Sequence, residues 1–172
     1  MHLTSKCPRG RLRSRSGFTL VDVALASTIL IVAAGGLIGT VLSTSRLART
    51  TEESSDAYEA ARAITETIYA TDATDVFATF TAASNFAVPG LNIQDGDADG
   101  FVGQIVFPTI GGQLREDSTD GSLGMPRDLN GDGVIDALDH SGDYVILPLT
   151  IRMQWQGVSG DQTADLTLLL EN

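Results

Sequence analysis

The sequence predicts an α+β protein: a long N-terminal helix, one half able to cross a membrane and the other amphipathic, packed on a small antiparallel sheet. Three observations predict this. Residues 18–43 form a run of 26 with a single charge, Asp22. A three-four apolar spacing follows it, and two stretches near the C-terminus alternate apolar and polar residues. At 172 residues the chain can build one modest core. The expected organisation is a basic leader over 1–17, a membrane-crossing helix over 18–43 and one folded domain over 44–172.

A helix rises 1.5 Å per residue, so about 20 residues already span the ~30 Å hydrocarbon core. Lys6, Arg9, Arg11, Arg13 and Arg15 precede the apolar run, and no acid comes before Asp22. Positive flanks stay cytoplasmic, which predicts an N-terminus inside and an acidic domain outside, the periplasm in a diderm bacterium. A secretory signal peptide has the same basic start, and Ala33 and Ala34 mimic its cleavage site. Its apolar part, however, runs only about 7 to 15 residues, whereas this one continues to Leu42. An ionised Asp at the centre of a membrane helix costs about 2.5 to 3.5 kcal/mol, less near the interface, so Asp22 calls for a cationic partner. Gly35 and Gly39 have the small-x-x-x-small spacing of packed membrane helices, which ordinary membrane-helix composition accounts for equally well.

Beyond Ser43, Leu47, Thr51, Ser54, Tyr58, Ala61, Ile64 and Ile68 recur every three or four residues. No proline interrupts the chain from Thr19 to Val88, so one helix of about 50 residues is expected. Residues 72–84 fit a short helix or an irregular connector. Val145, Leu147, Leu149, Ile151, Met153 and Trp155 line one face of a strand in which Pro148 predicts an edge position or a bulge. Ala164, Leu166, Leu168 and Leu170 line another, after a turn carrying Gly157 and Gly160, which predicts a C-terminal hairpin. Phe101 to Phe107 is a third, shorter candidate strand.

Between these elements lies Asp128-Leu129-Asn130-Gly131-Asp132-Gly133-Val134-Ile135-Asp136-Ala137-Leu138-Asp139. Oxygen side chains at positions 1, 3, 5, 9 and 12 with glycine at 6 give the spacing of a calcium loop. Calcium takes six to eight hard oxygens, alternate residues of a tight loop supply them, and glycine permits the sharp turn. The predicted ligands are Asp128, Asn130, Asp132, the Val134 carbonyl, Asp136 and Asp139. Closing on Asp139 in place of glutamate, the loop resembles a dockerin-type calcium loop, although Asp143-Tyr144-Val145 leads on into a strand and no second complete copy follows. Asp95, Asp97 and Asp99 repeat the first half of the pattern as a possible second site, with Val106 at the closing position. A solvated acidic turn is the competing reading of both clusters. The expected role of calcium is structural, and the absence of sulfur ligands disfavours zinc.

From residue 43 onward, 21 acidic residues stand against six arginines, so the folded part is repelled by phosphates and nucleic acid is excluded as a partner. Cys7 is the only cysteine, which leaves the folded part without a disulfide or a cysteine metal site. The histidines are His2 and His140, and no catalytic motif accompanies them. His140 reads as a surface histidine beside a loop, and no enzymatic activity is expected.

The segment Ser16-Gly17-Phe18-Thr19-Leu20-Val21-Asp22-Val23 resembles the cleavage and methylation motif of type IV prepilins and pseudopilins. The resemblance covers about the first thirty residues, with Asp22 where the family usually has Glu. It implies cleavage after Gly17 by a prepilin peptidase and N-methylation of Phe18. The new ammonium on Phe18 would then neutralise Asp22 of a neighbouring subunit. It further implies a structural subunit of a type II secretion pseudopilus or type IV pilus, with other pilin-like subunits, an inner-membrane assembly platform and the lipid bilayer as partners. The alternative is a membrane-anchored, calcium-dependent adhesion or binding module, whose N-terminus would stay uncleaved.

Overall fold

The computed structural model describes residues 19–171. The leader, Gly17 and Phe18 lie outside the described residues, and with them the expected processing site. Helix α1 runs Leu20–Ala70, 51 residues without a break, close to the length expected from the proline-free sequence. Its start is closed by a reciprocal cap. The Thr19 amide and hydroxyl both donate to Asp22 Oδ2, at 3.1 and 2.7 Å, while the Asp22 amide donates to Thr19 Oγ1 at 3.3 Å. This is a capping box with aspartate in the third helical position.

The chain divides into two units between Ser43 and Thr44, the boundary at which the apolar run ends. In the first unit every described residue is exposed, including Val21, Leu25, Ile29, Ile31, Leu37 and Val41. By length and composition this part of α1 can cross a membrane.

The second unit holds the core. From residue 44, α1 buries Ala57, Ala61 and Ile68, with Ile64 half-buried. The predicted stripe is thus right at Ser54, Ala61, Ile64 and Ile68 but wrong at Leu47, Thr51 and Tyr58, which are exposed. The face that packs is the one carrying alanines. Small side chains let the backbone approach its neighbours, and this geometry matters more than the size of the apolar groups on offer. A 3-10 turn, Ala73–Asp75, and a short helix α2, Val76–Ala82, fill the connector, and α2 buries Val76, Phe77 and Phe80. Phe77 meets Phe107 edge-on, ring centroids 5.2 Å apart.

Strands β1 (Asn85–Phe86), β2 (Gly103–Val106), β5 (Ile146–Gly157) and β6 (Gly160–Glu171) form an antiparallel sheet in the order β1-β2-β5-β6. A separate hairpin pairs β3 (Thr109–Ile110) with β4 (Gln113–Leu114) through Gly111 and Gly112, both at positive φ. Of the predicted inward set, Leu147, Leu149, Ile151, Met153 and Trp155 are buried on β5, whereas Val145 precedes the strand and is exposed. Pro148 and Thr150 on the opposite face are buried as well, and a 3-10 turn, Gly121–Leu123, lies beside this strand. Pro148 behaves as expected of an edge. It pairs with Leu169 of β6, while β2 reaches only to Thr150, so no ladder bond on that side needs its missing N–H.

Candidate metal centre

The β3–β4 hairpin delivers the chain to Glu116, whose side chain has no solvent exposure. The sequence offered no sign of this residue's importance: it stands in Leu114-Arg115-Glu116-Asp117-Ser118 without a motif. Its carboxylate reaches into the base of the acidic loop. Oε1 accepts the amides of Leu129, at 2.6 Å, and Asn130, at 3.2 Å, while Oε2 accepts the amide of Asp136 at 3.1 Å. One buried anion therefore ties the beginning of the loop to its ninth position. The Leu129 carbonyl, from a fully buried residue, accepts the amides of Val145 and Ile146, so the loop is also clamped to the start of β5.

Within the loop the predicted oxygens form successive turns. Asp128 Oδ1 and Oδ2 accept the amides of Gly131 and Gly133 at 2.6 and 2.7 Å. Asn130 Oδ1 accepts from Asp132 at 3.0 Å, Asp132 Oδ1 from Val134 at 2.7 Å, and Asp136 Oδ1 from Leu138 at 2.7 Å. Gly131 and Gly133 adopt φ of 81° and 85°, a conformation a side chain would resist. Asp128, Asn130, Asp132 and Asp136 thus carry hard-oxygen groups, each engaged in a local turn, and of these side chains that of Asp136 alone also meets Glu116 and His140. Val134 exposes its side chain, which takes no part, since its carbonyl is the predicted donor. Asp139 is held elsewhere: its Oδ1 accepts the amides of Leu114, at 3.2 Å, and Ser141, at 3.1 Å. The second cluster is exposed throughout; Asp97 and Asp99 accept the amides of Asp99 and Phe101, at 3.2 and 2.9 Å.

His140 differs from its expected surface position, with only 3% of the residue exposed. The reason is the hairpin, because the Leu114 carbonyl accepts the His140 amide at 2.9 Å and draws it beneath the loop. Its Nε2 lies 3.1 Å from Asp136 Oδ1 and 3.8 Å from Glu116 Oε2, and its Nδ1 lies 3.1 Å from Asp143 Oδ1. Burial opposes the charged imidazole, but contact with Asp136, the charge of Glu116 and contact with Asp143 together raise its pKa above the ordinary value. The Asp136 pKa is lowered, first by the Leu138 amide and then by His140. Glu116, Asp136 and His140 each present one ligand atom, all within 4.8 Å of one another, and could hold a metal ion.

Fold and site together define an α+β protein with one helix long and apolar enough to cross a membrane and a carboxylate-rich loop built over a buried glutamate and histidine. Comparison with known families, characterised proteins and solved structures finds no match to this chain.

Proposed function

We propose that this chain is a pilin-like structural subunit, a pseudopilin or minor pilin of a type II secretion pseudopilus or type IV pilus. On this reading it is held in the inner membrane with residues 44–172 in the periplasm. Prepilin peptidase cleaves after Gly17, and α1 then assembles with the helices of other subunits. One observation carries the reading: the exposed, apolar half of α1 opens on a carboxylate, Asp22. Among the described residues the Asp22 carboxylate is held by Thr19, through its amide and its hydroxyl. A cap of this kind balances helix amides, not a full negative charge entering lipid, and the ammonium of a neighbour's Phe18 supplies the missing cation. The acidic loop binds calcium, whose chemistry here is to neutralise clustered carboxylates; Asp128, Asn130, Asp132, Val134 and Asp136 would hold it, with Asp139 at the closing position.

Mass spectrometry of the N-terminus tests the proposal. A chain beginning at methylated Phe18 is the expected result in a host with an active prepilin peptidase. An intact N-terminus in that host rejects it in favour of a tethered binding module, and loss of everything through Ala34 would reveal ordinary secretion. Asp22→Ala separates assembly from capping. A lost cap costs about 0.5 to 2 kcal/mol and leaves a folded protein, whereas a lost charge partner abolishes incorporation into fibres.

A further inference from the structure

His140 poses a problem of proton counting. Both of its ring nitrogens lie 3.1 Å from a carboxylate oxygen, Nδ1 from Asp143 and Nε2 from Asp136, and the side chain is 4% exposed. A neutral imidazole carries one N–H. If that proton sits on Nδ1 and bonds Asp143, the Nε2 lone pair faces the oxygens of Asp136 and Glu116 with no hydrogen between them. Something positive belongs there. The nearby Arg115 is committed to Asp117 through two hydrogen bonds. A dication held between Glu116 Oε2, Asp136 Oδ1 and the Nε2 lone pair would balance both carboxylates.

We infer that Glu116 Oε2, Asp136 Oδ1 and His140 Nε2 form a binding site for a zinc-class transition-metal dication, with Asp143 orienting the imidazole through Nδ1–H. Calcium and magnesium take oxygen ligands, whereas an imidazole nitrogen beside carboxylates suits zinc and its neighbours even without sulfur. The spacing agrees. Ligands about 2.0 to 2.1 Å from a tetrahedral ion lie roughly 3.3 Å apart. Nε2 stands 3.1 Å from Asp136 and 3.8 Å from Glu116, so small shifts complete the geometry. A carboxylate on the far nitrogen of a metal-bound histidine fixes its tautomer and strengthens it as a ligand, the part Asp143 takes here. Asp136 keeps 32% of its side chain exposed and gives the ion a way in. Asp136 is also the ninth residue of the proposed calcium loop, so the two sites adjoin, but Asp128, Asn130 and Asp132 belong to the loop alone.

The test uses the full-length chain in detergent, stripped with EDTA and dialysed against zinc in millimolar calcium, with bound metal counted by elemental analysis and affinity measured by titration calorimetry. One zinc per chain is expected despite excess calcium. His140→Gln should weaken it at least about 100-fold and Asp143→Asn about 10- to 100-fold. Asp132→Asn should lower calcium uptake and leave zinc unchanged. A parent that takes up no zinc, or a His140→Gln chain that binds it as tightly, overturns the site. Should His140→Gln fail to fold, nitrogen-15 spectra of the parent decide. An Nε2 bearing no proton and shifted by zinc supports the site; both ring nitrogens protonated in its presence overturn it. None of these outcomes depends on N-terminal processing, so the fibre proposal stands or falls separately.

Discussion

Replacing Glu116 by alanine removes the acceptor of three backbone amides, those of Leu129, Asn130 and Asp136, from a site with no solvent exposure. Hydrogen bonds to a charged group contribute about 1.5 to 3 kcal/mol each, and simple addition would give roughly 4.5 to 9 kcal/mol. Water entering the vacated space re-solvates part of the loop, so the lower range measured when one partner is deleted from a buried charged network applies, about 3 to 5 kcal/mol. For a folded unit of this size that corresponds to a fall in Tm of roughly 10 to 20 °C. Glu116→Gln keeps the shape but turns a donor toward one side of the loop, and should cost about half as much. Urea unfolding of the full-length chain in detergent, with EDTA present so that no metal contributes, measures the effect. Trp155 is the only tryptophan and is buried in the sheet core, so its fluorescence reports on the folded unit. A Glu116→Ala chain within about 1 kcal/mol of the parent would refute the reading of Glu116 as the brace of the loop.

Three other predictions follow from separate parts of the fold. Chelation of calcium from the full-length chain should lower Tm, by the equivalent of about 2.7 kcal/mol where free calcium had stood at 100 times Kd, and Asp132→Asn should abolish the difference. Gly103→Ala would place a Cβ 2.2 Å from the Phe86 ring, so chemical denaturation should show a loss of about 1 to 3 kcal/mol, partly restored by Phe86→Leu. Tyr144 is buried with its hydroxyl donating to the Ala73 carbonyl, and burial raises its pKa. The folded chain therefore holds that proton to higher pH than the unfolded chain. This contribution is complete below the ordinary phenol value of about 10 and is lost as pH rises through the folded value. Tyr144→Phe should flatten the alkaline part of a stability-against-pH curve while losing about 0.5 to 1.5 kcal/mol at neutral pH.

The long helix, the terminal hairpin and the edge-like setting of Pro148 were all legible because each follows from local chemistry: an unbroken apolar run, strict alternation, a missing N–H. The capping box is a local feature as well, Thr19 and Asp22 standing three apart, but it is not among the features expected from the sequence. The stripe over 47–68 fails at Leu47, Thr51 and Tyr58, because closeness of packing, not the three-four spacing alone, decides which positions are covered. His140 was misjudged because no short-range pattern reveals the hairpin bond that draws it inward.

Sequence spacing by itself placed Asp128, Asn130, Asp132 and Asp136 in one glycine-bearing loop, where each closes a turn on an amide two to five residues on. Only the tertiary structure decided what lies beneath that loop. Glu116 is 12 residues before Asp128, and its meeting with the loop depends on the β3–β4 hairpin reversing the chain at Gly111 and Gly112. Local rules govern a turn because its constraints act within a few bonds. A buried carboxylate gathering amides from two ends of a loop is a contact between distant segments, and its partners are settled only when the whole unit folds.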